Sequence, residues 1–553
     1  MSKFFNWKLI LIFIIILAGF LRFYKLSSNP PSLTWDEAAW GYNAYSLGID
    51  ARDEFGRFLP YDYLESFGDF KPPAYAYLDI LPIKIFGLNE FGVRFPSALF
   101  GVLTVLATYF LVRRIFPNAK KFSIFNFQFS IAEISAFILA ISPWHILLSR
   151  AAFEANVATF FLVTGVWLFL AGAHEKKWCL PFSIFFFVLS LYAFNTSRIV
   201  APLLVLLLMI GLRKQLLERK KEAIIACIVG VILVLPIARF LLSPQASLRF
   251  REVNIFSDAS VIKTVNQEIK NDNNAFWSKI IHNRRFAYGV EYFKHYFDNL
   301  SPDFLFIKGD GNPKFSIQTV GQMYLWEIPF FIGGILFIFR KRQGYWWIVP
   351  FWLVLGIIPA ATARETPHAL RIETTLPTFQ ILTAIGLATA IEFLLAVKNK
   401  GLITKLLKLF VICYSLFAIF NFSYFYHDYF THYPIQFSGE WQYGYKESIA
   451  FVSENLSKYD KVEITDALGR PYIYYLFYTK ENPQDFRASL KVKRDVFGFV
   501  NVTGFGKYEF KSNLSIDKNT LFINSPVNVP KNAEALKTFY LLDGNSILSA
   551  YSL

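Results

Sequence analysis

Two adjacent carboxylates, Asp36 and Glu37, stand in the stretch PPSLTWDEAAWGYNA, residues 30–44, shortly after an apolar run from Leu9 to Leu21. A carboxylate can take the proton of an attacking hydroxyl, and a second one beside it can orient the first. A solvated loop would tolerate the pair equally well, so its meaning depends on which other polar residues share its side of a membrane. Those of interest are cations: Lys71 in FGDFKPPAYAY, Arg150 in SPWHILLSRAAFEAN, and His368 with Arg371 in ARETPHALR. In the last of these, Thr366 as N-cap and Pro367 as first residue predict a helix start, whose free N–H groups would make an anion site. Carboxylates among cations suit transfer of a group from a phosphate. The cations stabilise the departing phosphate while the carboxylate deprotonates the incoming hydroxyl.

Each residue also has a plainer reading. Arg371 can snorkel to lipid headgroups, Arg150 can pair with Glu154 four residues on, and Lys71 can anchor a helix at the headgroup layer. Asp69 reads most simply as a solvated loop residue, with a metal or acceptor contact as alternatives. Arg198 in FNTSRIVAP and Arg364 in ARETPHALR are weaker candidates of the same kind.

The elements that must position these residues are set by composition. The chain has 553 residues, is 54% hydrophobic and 19% aromatic, and has a mean hydropathy of +0.36, which places it among polytopic membrane proteins. Apolar windows of spanning length fall at 8–25, 94–115, 130–147, 155–173, 178–195, 199–212, 223–242, 324–339, 345–361, 368–395 and 404–425. That is about eleven transmembrane helices. Alternate loops are basic: Arg113, Arg114, Lys120 and Lys121; Lys176 and Lys177; Arg213, Lys214, Arg219, Lys220 and Lys221; Arg340, Lys341 and Arg342; Lys398, Lys400, Lys405 and Lys408. The positive-inside rule puts these loops and the N-terminus in the cytoplasm, and the candidate site outside. The same rule accounts for the net charge of +15 without nucleic acid, for which no recognition motif is present. With Lys3 and Lys8 ahead of it, the first apolar run resembles a leader, but no small-x-small cleavage site follows, so a retained helix is expected. The three cysteines, Cys179, Cys227 and Cys413, lie in apolar runs and form no disulfide framework.

Within the first outer loop, AYAYLDILPIKIF is too short and interrupted to span and reads as an interfacial helix. FAYGVEYFKHYF, residues 286–297, mixes aromatics with charge and is a second candidate of this kind. After about Gly439 the pattern changes. GYKESIAFVSENL has helical spacing, KVEIT and FGFVNVTGF read as strands, and Gly469-Arg470-Pro471 marks a turn. The expected division is a membrane domain over 1–427 and a small extracytoplasmic α/β domain over 428–553.

Taken in order, TWDEAAWGYNAYSL, GRFLPYDYLESFGDFKPPAYAYL, NEFGVRFPSALFG, SPWHILLSRAAFEAN and TPHALR resemble the membrane-embedded GT-C glycosyltransferases. The likeness is to proteins similar to dolichyl-phosphate-mannose-protein mannosyltransferases and to the aminoarabinose transferase of lipid A. It implies a GT-C fold over residues 8–425, a polyprenyl-phosphate sugar donor, a hydroxyl acceptor and inverting transfer at the outer face of the cytoplasmic membrane. It also implies Asp36 as general base with Glu37 beside it, and Lys71, Arg150, His368 and Arg371 at the donor phosphate. Where the aminoarabinose transferases carry a metal-binding glutamate before the lysine, this chain has Phe70. No cofactor is therefore implied as required, and a divalent metal stays open. In GDGNPKFS, Lys314 and Phe315 replace the arginine and histidine expected of close relatives. A polyprenyl-lipid flippase is the main rival. It would place ionisable groups near the bilayer midplane, whereas here they gather at helix ends.

Overall fold

The computed structural model describes residues 6–553 apart from 121, 125–126, 244–245, 247–253, 397–400, 495–499, 516 and 532. Lys3, Lys121, Lys398 and Lys400, counted above toward the basic segments, lie outside the described residues, as does part of FGFVNVTGF. The chain forms two compact units. One comprises Met1–Leu21, Phe100–Leu148 and Ala155–Phe425; the other comprises Arg22–Leu99, Ser149–Glu154 and Tyr426–Leu553. The segment after Tyr426 thus groups with the first polar loop.

A helix stands at each predicted span. Among the described residues, five are long and apolar enough to cross a membrane: Glu90–Ile115, Glu154–His174, Lys220–Leu241, Thr378–Ala396 and Thr404–Gln436. Others are shorter, and two depart from the expected bounds for reasons of backbone chemistry. The span predicted over 130–147 ends at Ile141 and resumes as Pro143–Leu148, because Ser142 is held extended ahead of Pro143. The span predicted from 368 begins only at Thr378, behind Pro377. In the first unit, the helices Ile328–Lys341 and Thr378–Ala396 approach with backbone against backbone. A Cβ on Gly334 would lie 1.8 Å from the Leu382 carbonyl oxygen, and one on Gly386 would lie 1.9 Å from that of Phe330. Small residues at such crossings are the usual route to tight packing in lipid.

The second unit is built on a seven-stranded mixed sheet. Its central strand, Lys461–Thr465, runs parallel to Thr520–Asn524 on one side and Tyr508–Lys511 on the other. KVEIT and the described part of FGFVNVTGF are strands, and GYKESIAFVSENL contains the helix Tyr445–Asn455, as predicted. The interfacial segment is a helix over Ala74–Phe86, and a further helix covers Arg284–Asp298 in the first unit.

The same unit contains the helix Trp35–Asp50, called here the Asp36 helix, and a hairpin of Leu64–Ser66 with Asp69–Lys71. Against the Asp36 helix packs Pro471–Thr479, whose side chains from Tyr472 to Phe477 are buried. Its Phe477 ring lies where a Cβ on Gly41 would be only 2.6 Å away. Tyr42 donates to the Glu481 carbonyl, Tyr474 to that of Leu33, and Arg487 pairs with Asp50. A Cβ on Gly41 would also lie 2.5 Å from Val93 Cγ2, so Gly41→Ala would require the Val93 and Phe477 side chains to shift.

Candidate active site

The pair that opened the sequence reading is split by the fold. Thr34 caps the Asp36 helix: its hydroxyl accepts from the Glu37 N–H at 3.2 Å, and Glu37 accepts from the Thr34 N–H at 2.9 Å. This is a capping box, and TWDE is its sequence signature. Glu37 turns inward and is completely buried. Its carboxylate also accepts from Arg94 Nε at 2.8 Å and from the Ala152 N–H at 3.0 Å. Asp36 turns outward, with its side chain 48% exposed, and is held by the ammonium of Lys71, whose own side chain is 8% exposed. Neighbouring carboxylates therefore do different work. Glu37 ties the helix start to the protein, and Asp36 is the one a solute can reach.

Two buried arginines hold the irregular segment that leads into this helix. Arg94 donates to the carbonyls of Leu26, Pro30 and Ser32. Arg150 donates to those of Arg22, Tyr24 and Asn29, and to the Tyr429 hydroxyl at 3.2 Å. Buried carbonyls outside regular structure need donors, and the two guanidinium forks supply them. Arg150 thus points toward backbone and Tyr429, not along the i,i+4 line to Glu154. Glu154 itself lies within electrostatic range of Asp36, Lys71 and Asp69, so four ionisable side chains share the surroundings of the Asp36 helix start.

Lys71 ends the second strand of the hairpin, Asp69 begins it, and Pro72 and Pro73 follow. The ammonium of Lys71 sits 5.1 Å from the Trp40 ring centroid and 4.8 Å from that of Phe67, so aromatic faces as well as Asp36 fix it.

His368 and Arg371 belong to the other unit, and the helix start predicted there is absent. Residues 364–372 are turns, with a short 3-10 helix at Glu373–Thr375 before Thr378. Thr366 donates to Asp298 instead of capping, and the N–H groups of His368 and Ala369 donate to Asn299 and Asp310 at 3.0 and 2.6 Å. Neighbouring side chains therefore occupy the donors expected to face an anion. His368 is buried against the Phe315 ring, centroids 4.8 Å apart. Burial, with the Arg371 charge beside it, pushes its imidazole down to about 3. His368 is thus neutral at neutral pH, and Arg371, which donates to the Glu365 carbonyl, is the charged member of the pair. Arg364 donates to the Asn254 carbonyl and to Ser257, and Arg198 to the Leu191 carbonyl.

The His368 shift has a measurable consequence. Between its ordinary pKa and about 3 the unfolded chain binds a proton that the folded chain does not, so this stability is present above about pH 6.5 and lost as the pH falls. Replacing His368 by Gln should shrink the drop in melting temperature between about pH 7 and about pH 5. An unchanged drop would mean that the imidazole protonates within the fold.

Sequence reasoning passed over Arg94, Glu154 and Tyr429 as site residues. Arg94 carried a signal, since an arginine beginning an apolar span must be paired or reach water. Among the described residues no group of three His, Cys, Asp or Glu lies close enough to hold a metal ion.

Comparison with known proteins agrees with this architecture. The family model for dolichyl-phosphate-mannose-protein mannosyltransferases matches residues 12–245. A protein of Aquifex aeolicus (strain VF5) is 32% identical over 172 residues, 31% of this chain and 30% of its own length. "Putative mannosyltransferase YkcB" of Bacillus subtilis (strain 168) is 29% identical over 133 residues, 24% of this chain and 16% of its own. The matches therefore span less than a third of either relative. Among solved structures, ArnT from Cupriavidus metallidurans in the apo state superposes with a TM-score of 0.54 at 12% identity, covering 98% of this chain and 97% of that one. The same protein bound to undecaprenyl phosphate gives 0.52 at 13%, with 98% of each chain covered. The apo oligosaccharyltransferase of Archaeoglobus fulgidus gives 0.51 at 13%, covering 86% of this chain and 64% of that one. Residues 12–245 are thus similar to the dolichyl-phosphate-mannose-protein mannosyltransferase family, and the chain as a whole shares the GT-C fold of ArnT.

Proposed function

We propose that this protein transfers a sugar, with inversion, from a polyprenyl-phosphate donor to a hydroxyl acceptor at the outer face of the cytoplasmic membrane. The observation that carries this reading is Asp36, half exposed on the first turn of its helix and held by a nearly buried lysine, in a chain whose structural neighbour binds undecaprenyl phosphate. The acceptor oxygen attacks the anomeric carbon as the bond to the phosphate oxygen breaks. Asp36 takes the acceptor proton, and the phosphate departs with the bonding electrons. Lys71 is the nearest cation to that event, and its charge stabilises the phosphate as it leaves.

Since Lys71 pairs with Asp36, a phosphate at Lys71 would compete for the ammonium and free the carboxylate to act as base. Donor before acceptor is the binding order this favours. Glu37 positions Asp36 through the capping box, and Arg150 keeps the preceding segment in place. Arg371, the charged residue of its turn, and His368 are candidates for a phosphate contact on the sequence resemblance. Asp69, Arg198 and Arg364 are secondary candidates. The alternation of basic loops supports a site outside the cytoplasm.

Transfer by the purified protein in lipid, with a panel of polyprenyl-phosphate sugars, tests the proposal. Product formation or slow donor hydrolysis names the sugar; absence of donor binding across the panel would sink it. Lys71→Ala should lower kcat/KM for donor by about 10²–10³-fold, mainly through donor use. Donor dependence equal to the wild type would remove Lys71 from the phosphate.

A further inference from the structure

The hairpin that presents Lys71 turns through only two residues, Phe67 and Gly68, both with positive φ, 58° and 73°. A two-residue hairpin turn of this sign normally takes Asn or Gly first, and a bulky aromatic there is a strained choice. Such strain persists only where the surroundings over-determine it. The surroundings come from the C-terminal segment. Arg470 donates from Nη1 to the Phe67 carbonyl at 3.0 Å, and its guanidinium lies 4.5 Å from the Phe67 ring centroid. Tyr472 meets the same ring edge-on at 5.8 Å and donates to Glu54 at 3.3 Å. The Glu54 N–H in turn donates to Asn43, whose amide donates to Ser66 on the first strand. The Phe67 ring also has Lys71 as a cation neighbour, its ammonium 4.8 Å from the centroid.

Arg470 is also aimed deliberately. It sits in the left-handed region at φ 50°, behind Gly469 at φ 81°. A Cβ on Gly469 would come within 3.3 Å of the Trp35 ring, and the Arg470 guanidinium lies 5.9 Å from that ring. Trp35 is the residue before Asp36. The Gly-Arg-Pro turn therefore reaches both the residue next to the proposed base and the hairpin of the proposed phosphate cation.

We infer that the C-terminal domain is part of the catalytic apparatus, with Arg470 as a positioning residue that clamps the Phe67 turn and, through it, sets Lys71 against Asp36. Its catalytic consequence rests on the sugar-transfer reading above; the clamp itself does not. The order of contacts, Arg470 to Phe67 to Lys71 to Asp36, makes the effect transmissible without any contact between Arg470 and substrate.

Two readouts on the full-length protein in lipid test this. The first is acylation of Lys71 by an amine-reactive ester, followed by mass spectrometry and normalised to the exposed Lys518. Arg470→Ala should raise Lys71 labelling about tenfold by loosening the hairpin. The second is a double-substitution cycle on transfer. Arg470→Ala alone should lower kcat/KM about tenfold, and should add little in a Lys71→Met background. Arg470→Lys should recover part of the loss, since it keeps the cation over the ring but not the planar fork. If Arg470→Ala fails to fold, Arg470→Lys and Tyr472→Phe carry the same comparison with smaller changes. Unchanged Lys71 labelling in a folded variant would overturn the clamp. So would a full multiplicative loss in the Lys71→Met background, which would make Arg470 act independently. Raised labelling in a protein that transfers no sugar would leave the clamp standing and defeat the functional reading instead.

Discussion

Asp36→Asn should cost about 10²–10⁴-fold in transfer, the usual worth of a positioned general base, while the protein folds and binds donor normally. Asn matches Asp in shape and keeps an oxygen that can accept from Lys71, so the hairpin and helix start have little reason to move. What the substitution removes is the capacity to accept a proton. The Lys71 ammonium, its side chain 8% exposed, loses its counter-charge but keeps the Asn oxygen and the Trp40 and Phe67 ring faces, so melting temperature should fall only modestly. The measurement is sugar transfer by purified protein in lipid, with donor binding in parallel. Turnover equal to wild type would remove Asp36 as base. Loss of donor binding together with turnover would move its role to the ground state.

How much of this was legible in the sequence depends on the range over which each feature is determined. Local patterns carried through: the helix over Ala74–Phe86, the strand KVEIT, the Gly-Arg-Pro turn and the helix at each apolar span follow from periodicity and turn chemistry alone. The meeting of Asp36 with Lys71 was also anticipated, though from family likeness and shared side, since 35 residues separate them. TPHALR failed because Thr and Pro specify a helix start only if nothing else competes for the same groups. Asp298, Asn299 and Asp310, some 60 to 70 residues upstream, take the Thr366 hydroxyl and the two N–H groups. For Arg150 the plainer alternative, a pair with Glu154, is not what the fold makes, because its acceptors are the Tyr429 hydroxyl and backbone carbonyls, which no residue pattern advertises. The C-terminal segment carried no site signal at all. Arg470 and Tyr472 matter through Phe67, and a cation stacked on an aromatic 403 positions away is a property of the fold alone.

The adjacent pair offers the sharpest contrast of outcomes. Arg94→Met should destabilise the protein by about 3–5 kcal/mol, the cost of stranding one partner of a buried ion pair. Glu37 would be left charged and inaccessible to water, and the carbonyls of Leu26, Pro30 and Ser32 would lose their donor. The expected result is a large fall in melting temperature and in yield, with transfer lost in proportion to folded protein. Glu37→Gln should be milder, because Arg94 keeps its three carbonyl acceptors, but it is not silent: Ala152 and Thr34 donate to different carboxylate oxygens, and Gln leaves an acceptor for only one of them. Combining Glu37→Gln with Arg94→Met removes both charges and should recover part of the stability lost in Arg94→Met alone. If Glu37 acts by fixing the helix start, the folded fraction of Glu37→Gln will transfer sugar within about tenfold of wild type. A loss of the size expected for Asp36→Asn, at unchanged melting temperature, would instead make Glu37 a catalytic residue. The fully buried ion pair with Arg94 argues for the first outcome: a carboxylate already occupied by a guanidinium and two backbone N–H groups has no face left for a substrate.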